Sequence, residues 1–178
     1  MKFADNKNLY IRRALFVLLI VITAVLQHTV GDAFSIFGAR AFLLIPLTVT
    51  IAINEKSMGG LSFGLLAGIL WDAATVRGDG FYSVVLALAG FTAGVAVSYV
   101  VRNNILADIL LTAGACLFVA TSYWLIFIFM RGYEGGFSLL LSFYLPSAVY
   151  SLAFTAVYYY VVKGIIKLTT DPKPAKKY

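Results

Sequence analysis

The stretch GGLSFGLLAGILWD, residues 59–72, places a carboxylate at the end of a glycine stripe. Gly60, Gly64 and Gly68 recur every four residues, so they share one face of a helix, and Asp72 continues that face. Each interior glycine costs a water-soluble helix about 1 kcal/mol relative to alanine, which makes this a poor surface helix. The chemistry open to Asp72 is polar: it can accept hydrogen bonds from the turn that follows, or contact a partner or a small ligand.

The turn ATVRGDGF supplies the other residues of a candidate polar site. Gly78 and Gly80 permit positive φ angles, and Arg77 carries a charge opposite to that of Asp72. Asp72 lies about four helical turns beyond Lys56, which brings it close to the outer boundary of a bilayer. We therefore predict an outer-side polar site made of Asp72, Arg77 and Gly80.

The composition indicates that lipid surrounds these residues. Of 178 residues, 61% are hydrophobic and 12% are charged, which is typical of an integral membrane protein. The sequence predicts an all-α fold with six transmembrane helices in one domain, residues 1–162, and a basic, mobile cytoplasmic tail, residues 163–178. Pro46 and Pro146 predict kinks in the second and sixth helices. The predicted membrane segments are residues 13–30, 41–53, 57–76, 81–101, 108–130 and 137–162.

The positive charges predict the orientation of the chain. With a cytoplasmic N-terminus, only Arg40, Arg77 and Arg131 of the 14 Lys and Arg residues lie outside. Basic residues favour the cytoplasmic side of short loops, so both termini are predicted to be cytoplasmic. The net charge of +6 then reflects topology and contacts with membrane lipid. It requires no nucleic acid.

A second small-residue stripe, Gly90 and Gly94, lies in the fourth segment. Within lipid, missing side chains let helices approach closely, so these glycines and those of segment three predict tight helix packing. Internal packing is one interpretation. The other is a groove for the transmembrane helix of a partner protein, with segment three as the leading candidate. Self-association into a homodimer stays open.

Catalytic and metal chemistry is not indicated by the sequence. Cys116 is the one cysteine, so the chain cannot form an intramolecular disulfide. His28 is the one histidine, so the chain lacks the cluster of ligands that a histidine-rich metal site needs. Ser, His and Asp show no paired spacing on one helix, and no phosphate-binding loop is present. We predict a protein that is not an enzyme and uses no cofactor.

The run GLLAGILWDAATVRGDGFYSVVLALAGFTAG resembles the central signature of the rod shape-determining protein MreD family. Gly64, Gly68 and Asp72 match a glycine-rich third helix that ends in Asp. Gly80 follows at the family's spacing, and Gly90 continues the pattern in the next helix. The second segment departs from the family, because it begins GARAFLL where the family often has Pro followed by an acidic or apolar residue.

The resemblance implies a component of the bacterial cell-elongation machinery in the inner membrane, which controls lateral peptidoglycan synthesis and rod shape. Its implied partners are an MreC-like bitopic protein, MreB, a RodA-type glycosyltransferase and a penicillin-binding transpeptidase. The implied fold is similar to the S component of energy-coupling-factor transporters, with a hollow open to the outer side. An S component that captures a vitamin or metal ion is therefore the alternative. The bulky residues of ALFVLLIVITAVLQ argue against it, since S components usually present small residues on their first helix.

Overall fold

The computed structural model describes residues 2–29, 40–75, 78–99, 103–130, 143 and 145–170, with side chains from residue 8 onward. Every regular element in these ranges is helical. A π-helical stretch continues the fourth helix without a break. The elements are α1 (Lys2–Thr29), α2 (Leu44–Ala74), α3 (Phe81–Tyr99), α4 (Ile105–Tyr123) with its π-helical continuation (Trp124–Phe129), and α5 (Leu145–Thr169).

Five helices in these ranges are long and apolar enough to cross a membrane. Many of their large side chains face outward, including Leu18, Val84 and Leu110. Helices suit this setting because they satisfy their own backbone hydrogen bonds where water is absent. The prediction of an all-helical fold is confirmed for the described residues, and these five helices indicate a multi-pass membrane protein. α5 continues to Thr169, through the first residues of the predicted tail, and residues 171–178 lie outside the described ranges.

The chain reverses within α2 at Lys56, whose φ of 64° and ψ of −170° are not helical. The ring centroids of Phe42 and Trp71 lie 5.7 Å apart, whereas a straight helix would separate these positions by roughly 43 Å. Residues 44–55, here α2a, and residues 57–74, here α2b, therefore lie side by side. The predicted segments 41–53 and 57–76 correspond to these two arms.

The prediction of a kink at Pro46 was wrong, because Pro46 lies in the first turn of α2. A backbone N–H in the first turn has no partner within its own helix, so proline fits there without breaking a hydrogen bond. The interruption falls at Lys56 instead, between the predicted segments 41–53 and 57–76. The kink predicted at Pro146 stays a prediction, since most of residues 137–144 lie outside the described ranges.

Glycines set the contact between α2b and α3. A Cβ atom at Gly60 would collide with the carbonyl oxygen of Gly90, and one at Gly64 with that of Leu86. At Gly94 an added Cβ would lie 2.6 Å from the carbonyl carbon of Lys56. The two backbones therefore touch directly, which side chains would prevent. α3 of the same chain fills the groove along α2b.

Polar contacts hold the end of the bundle that carries the Lys56 turn. Glu55, whose side chain is 4% exposed, lies 2.6 Å from Arg12 Nη2 and 3.6 Å from Arg13 Nε. Asn103 donates a hydrogen bond of 3.0 Å to Asn54. Two charges facing one buried carboxylate offset the cost of removing it from water. These contacts tie α1 and the start of α4 to the turn of α2.

The strained backbone of Lys56 predicts that Lys56→Gly stabilises the protein by about 1 kcal/mol, because only glycine adopts these angles without a steric penalty. The measurement is thermal unfolding of the purified protein in detergent. Lys56→Ala is the matched control: it removes the charge but keeps Cβ, so it should give no such gain. Equal stabilisation by both variants would contradict the assignment of strain.

Candidate functional site

Asp72 lies at the end of α2b and caps the neighbouring helix. It is 7% exposed. Its Oδ1 accepts a hydrogen bond of 3.1 Å from the backbone N–H of Tyr82, and its Oδ2 accepts from the N–H of Ser83 at 2.8 Å. The hydroxyl of Ser83 donates to the same Oδ2 at 2.5 Å. The first N–H groups of a helix have no partner in their own helix, so this carboxylate completes the start of α3.

The turn between the two helices brings the carboxylate to that position. Thr75 donates to the carbonyl of Asp72 from both its backbone N–H, at 3.2 Å, and its hydroxyl, at 2.9 Å. Gly78 and Gly80 have φ angles of 56° and 71°, which L side chains rarely adopt. Gly80 thus lets the chain enter α3 directly under Asp72. Arg77, the third residue of the predicted polar site, lies outside the described residues.

An aromatic column stands beside Asp72. Trp71 stacks on Tyr82 with centroids 4.3 Å apart and an interplanar angle of 6°, and Tyr82 lies 6.0 Å from Tyr123. Phe42 closes one end of the column against Trp71, and Phe127 closes the other at 4.7 Å from Tyr123. Stacked and edge-on rings each add to the apolar burial they share. The column joins the segment before α2a, the helices α2b and α3, and α4 with its π-helical continuation at one end of the bundle.

Two clefts open on either side of this column. One, of about 230 Å³, is lined by Asp72, Thr75, Asp79, Phe81, Tyr82, Tyr123 and Phe127. The other, of about 260 Å³, is lined by Gln27, His28, Arg40, Ala41, Phe42, Trp71, Thr75, Tyr82, Tyr123 and Phe143. Thr75, Tyr82 and Tyr123 belong to both walls, so the clefts adjoin. Their mixture of aromatic and polar groups could hold a small organic ligand.

Side chains from distant parts of the sequence complete the second cleft. The backbone N–H of Arg40 donates to Ser147 Oγ at 3.1 Å, and that of Phe42 donates to Ser151 Oγ at 2.8 Å. The N–H of Leu44 donates to Oε1 of Gln27 at 2.9 Å. These bonds satisfy the non-helical backbone that precedes α2, as burial among apolar helices requires. No sequence pattern singled out the two serines, because their partners are more than 100 residues away.

A third cavity is a lateral groove between α3 and α4, with a volume of about 270 Å³. Small residues dominate its walls. Gly114 is open to it, since an added Cβ would meet nothing within 4 Å. Its lining residues are Ala89, Thr92, Ala93, Ala96, Leu110, Leu111, Gly114, Ala115 and Phe118.

The predicted site residues therefore separate into two groups. The stripe of Gly60, Gly64 and Gly68, together with Gly90 and Gly94, lies inside the bundle between α2b and α3. A partner helix could reach this stripe only by displacing α3. Asp72 and Gly80 lie together at the end of the bundle that holds the two clefts.

The described residues contain no group of three or more His, Cys, Asp or Glu side chains arranged to hold a metal ion. Comparisons with protein-family models, with curated proteins and with solved structures find no match to this chain. The resemblance to the MreD family therefore depends on the residues quoted for it.

The cap predicts that Asp72→Asn destabilises the protein by about 2 kcal/mol, because an amide offers one acceptor oxygen where the carboxylate serves three donors. Asp79→Asn is the control, since Asp79 lines the same cleft but is exposed. Unfolding midpoints of both variants in detergent are the measurement. A midpoint for Asp72→Asn equal to that of the control would show that the cap does not support α3.

Proposed function

We propose that this chain is a non-enzymatic membrane component of the bacterial cell-elongation machinery, similar to the MreD family, and that it binds an MreC-like bitopic protein. The supporting observation is that the signature residues act as one unit. Gly64, Gly68 and Gly90 allow α2b and α3 to touch, Asp72 caps α3, and Gly80 makes the turn between them. A signature with a joint structural role is a stronger basis for family membership than isolated glycines.

The proposed topology has six membrane crossings, with α2a and α2b each counted as one. The reversal at Lys56 and the contact between Phe42 and Trp71 support that count. We place both termini in the cytoplasm of a bacterium, with the chain in the inner membrane and the Asp72 clefts facing outward. The concentration of Lys and Arg at the opposite end supports this orientation. Six helices with an outward hollow would also be similar to an S component.

We propose the lateral groove between α3 and α4 as the docking surface for the single transmembrane helix of the MreC-like partner. The groove along α2b is already filled by α3, so it is not available. The lateral groove has small side chains at Ala89, Ala93 and Gly114, which would let a second helix approach closely in lipid. MreB, the glycosyltransferase and the transpeptidase would then join through that partner.

The test of this function is depletion of the protein in a rod-shaped host, followed by complementation. Depletion should produce round cells, and the wild-type chain should restore the rods. The wild-type chain should also co-purify a coiled-coil protein that has one transmembrane span and is encoded by a neighbouring gene. Rod-shaped growth after complete depletion would contradict the proposal.

The docking surface is tested in the same strain with a matched pair of variants. Gly114 and Gly164 both have open space around an added Cβ, but only Gly114 lines the lateral groove. Gly114→Leu should lower the amount of co-purified partner at least tenfold and fail to restore rod shape. Gly164→Leu should co-purify the partner and restore rod shape as the wild type does. Normal co-purification with Gly114→Leu would exclude this groove.

The second candidate function is an S component that captures a small molecule for an energy-coupling-factor transporter. The two adjoining clefts of about 230 and 260 Å³ favour it, because they combine aromatic walls with polar groups at one end of the bundle. Depletion distinguishes the two functions. A transporter subunit would give vitamin or metal auxotrophy with normal cell shape.

A further inference from the structure

Asp108 is a second buried aspartate, and its surroundings differ from those of Asp72. It lies in the first turn of α4, and its side chain is completely buried. Three donors reach the oxygens of Asp72. Among the described residues, one hydroxyl lies in hydrogen-bonding geometry with the Asp108 carboxyl, that of Thr50 on α2a, 2.9 Å from Oδ2. The other oxygen, Oδ1, has no hydrogen-bond partner among the residues that the structure describes.

The hydroxyl of Thr50 has one hydrogen but two possible acceptors. It lies 2.8 Å from the carbonyl oxygen of Pro46 and 2.9 Å from Oδ2 of Asp108. A threonine inside a helix commonly donates to the carbonyl four residues before it. If Thr50 donates to Pro46, the hydrogen between Thr50 and Asp108 must belong to the carboxyl group. A protonated carboxyl has the required O–H donor.

No charge in the described residues compensates an ionised Asp108. The ion pairs there join Arg12 and Arg13 to Glu55. Thr112, one turn after Asp108 on the same helix, is fully buried, and its hydroxyl lies beside the carboxyl without the distance and angle of a hydrogen bond. The α4 dipole would favour a negative charge near its N-terminus, but no first-turn N–H in the described contacts reaches the carboxyl oxygens. An ionised carboxylate with a bare oxygen would be costly in this apolar setting.

We infer that Asp108 binds a proton at Oδ2 and, as a neutral acid, donates a hydrogen bond to Thr50 that links α4 to α2a. The site is independent of the proposed role in cell elongation. The bound proton allows a polar side chain to lie between two membrane helices without a counter-ion. The described contacts of the carboxyl, Thr50 and the neighbouring Thr112, contain no titratable group that could take this proton away.

Infrared spectroscopy of the full chain in lipid nanodiscs at neutral pH tests the inference. The wild type should show the carbonyl stretch of a protonated carboxyl, and this band should move when aspartate is labelled with carbon-13 at its side-chain carboxyl. Asp108→Asn should remove the band. Asp79→Asn, which removes an exposed carboxylate, should leave it unchanged.

A second variant keeps the inference testable if Asp108→Asn does not fold. Thr50→Val removes the hydroxyl that accepts the hydrogen bond from Asp108, so the band should persist but shift to the frequency of a more weakly hydrogen-bonded acid. Three results would overturn the inference. They are a wild type with no protonated carboxyl band, a band that survives Asp108→Asn, and a band that Thr50→Val does not shift.

Discussion

The direct contact between the backbones of α2b and α3 is the constraint on which the rest of this structure depends. Apolar side chains gain no hydrophobic stabilisation when they move from lipid into a contact between helices, because both surroundings are apolar. Helices in lipid therefore associate through close van der Waals contact. Glycines at positions 60, 64, 68, 90 and 94 remove the atoms that would hold the two helices apart. The same approach brings Gly94 against the backbone of Lys56, where α2 turns back on itself. The contact between α2b and α3 therefore extends from the turn at Lys56, at one end of the bundle, to the cap formed by Asp72 at the other.

Polar groups then fix what the glycines bring together. Gly68 lies one turn before Asp72 on α2b and packs against the backbone of Ser83. Asp72 can therefore reach the first turn of α3. Its cap holds Tyr82 in place to stack on Trp71 and form the wall shared by both clefts. At the opposite end, Glu55 is held by two arginines, while Asp108 has only a threonine. Each of these buried acids meets the cost of leaving water by a different means: backbone donors, paired cations or a bound proton.

Sequence patterns predict what is local in this fold and miss what is joined across it. Apolar runs gave the helices, and the polar residues near Lys56 divided residues 41–76 into two arms. The glycine stripes indicated close packing, but a stripe does not say which helix fills it. Pro46 was misread because the effect of a proline depends on its position within a helix, and Pro46 lies in a first turn. The bonds from Ser147 and Ser151 to the start of α2 and the contact of Thr50 with Asp108 span 58 to 109 positions. No local pattern specifies them, because they arise only after the helices have packed.

The reversal of α2 is tested most directly by a distance between its two ends. Spin labels are placed at positions 43 and 73 in a Cys116→Ala background, and pulsed electron paramagnetic resonance measures their separation in nanodiscs. The structure predicts a separation of one interhelical spacing, roughly 10 Å between axes, plus the length of the labels. A straight α2 would place the two positions about 45 Å apart. That longer distance would contradict the reversal of α2 and, with it, the proposed six-crossing topology.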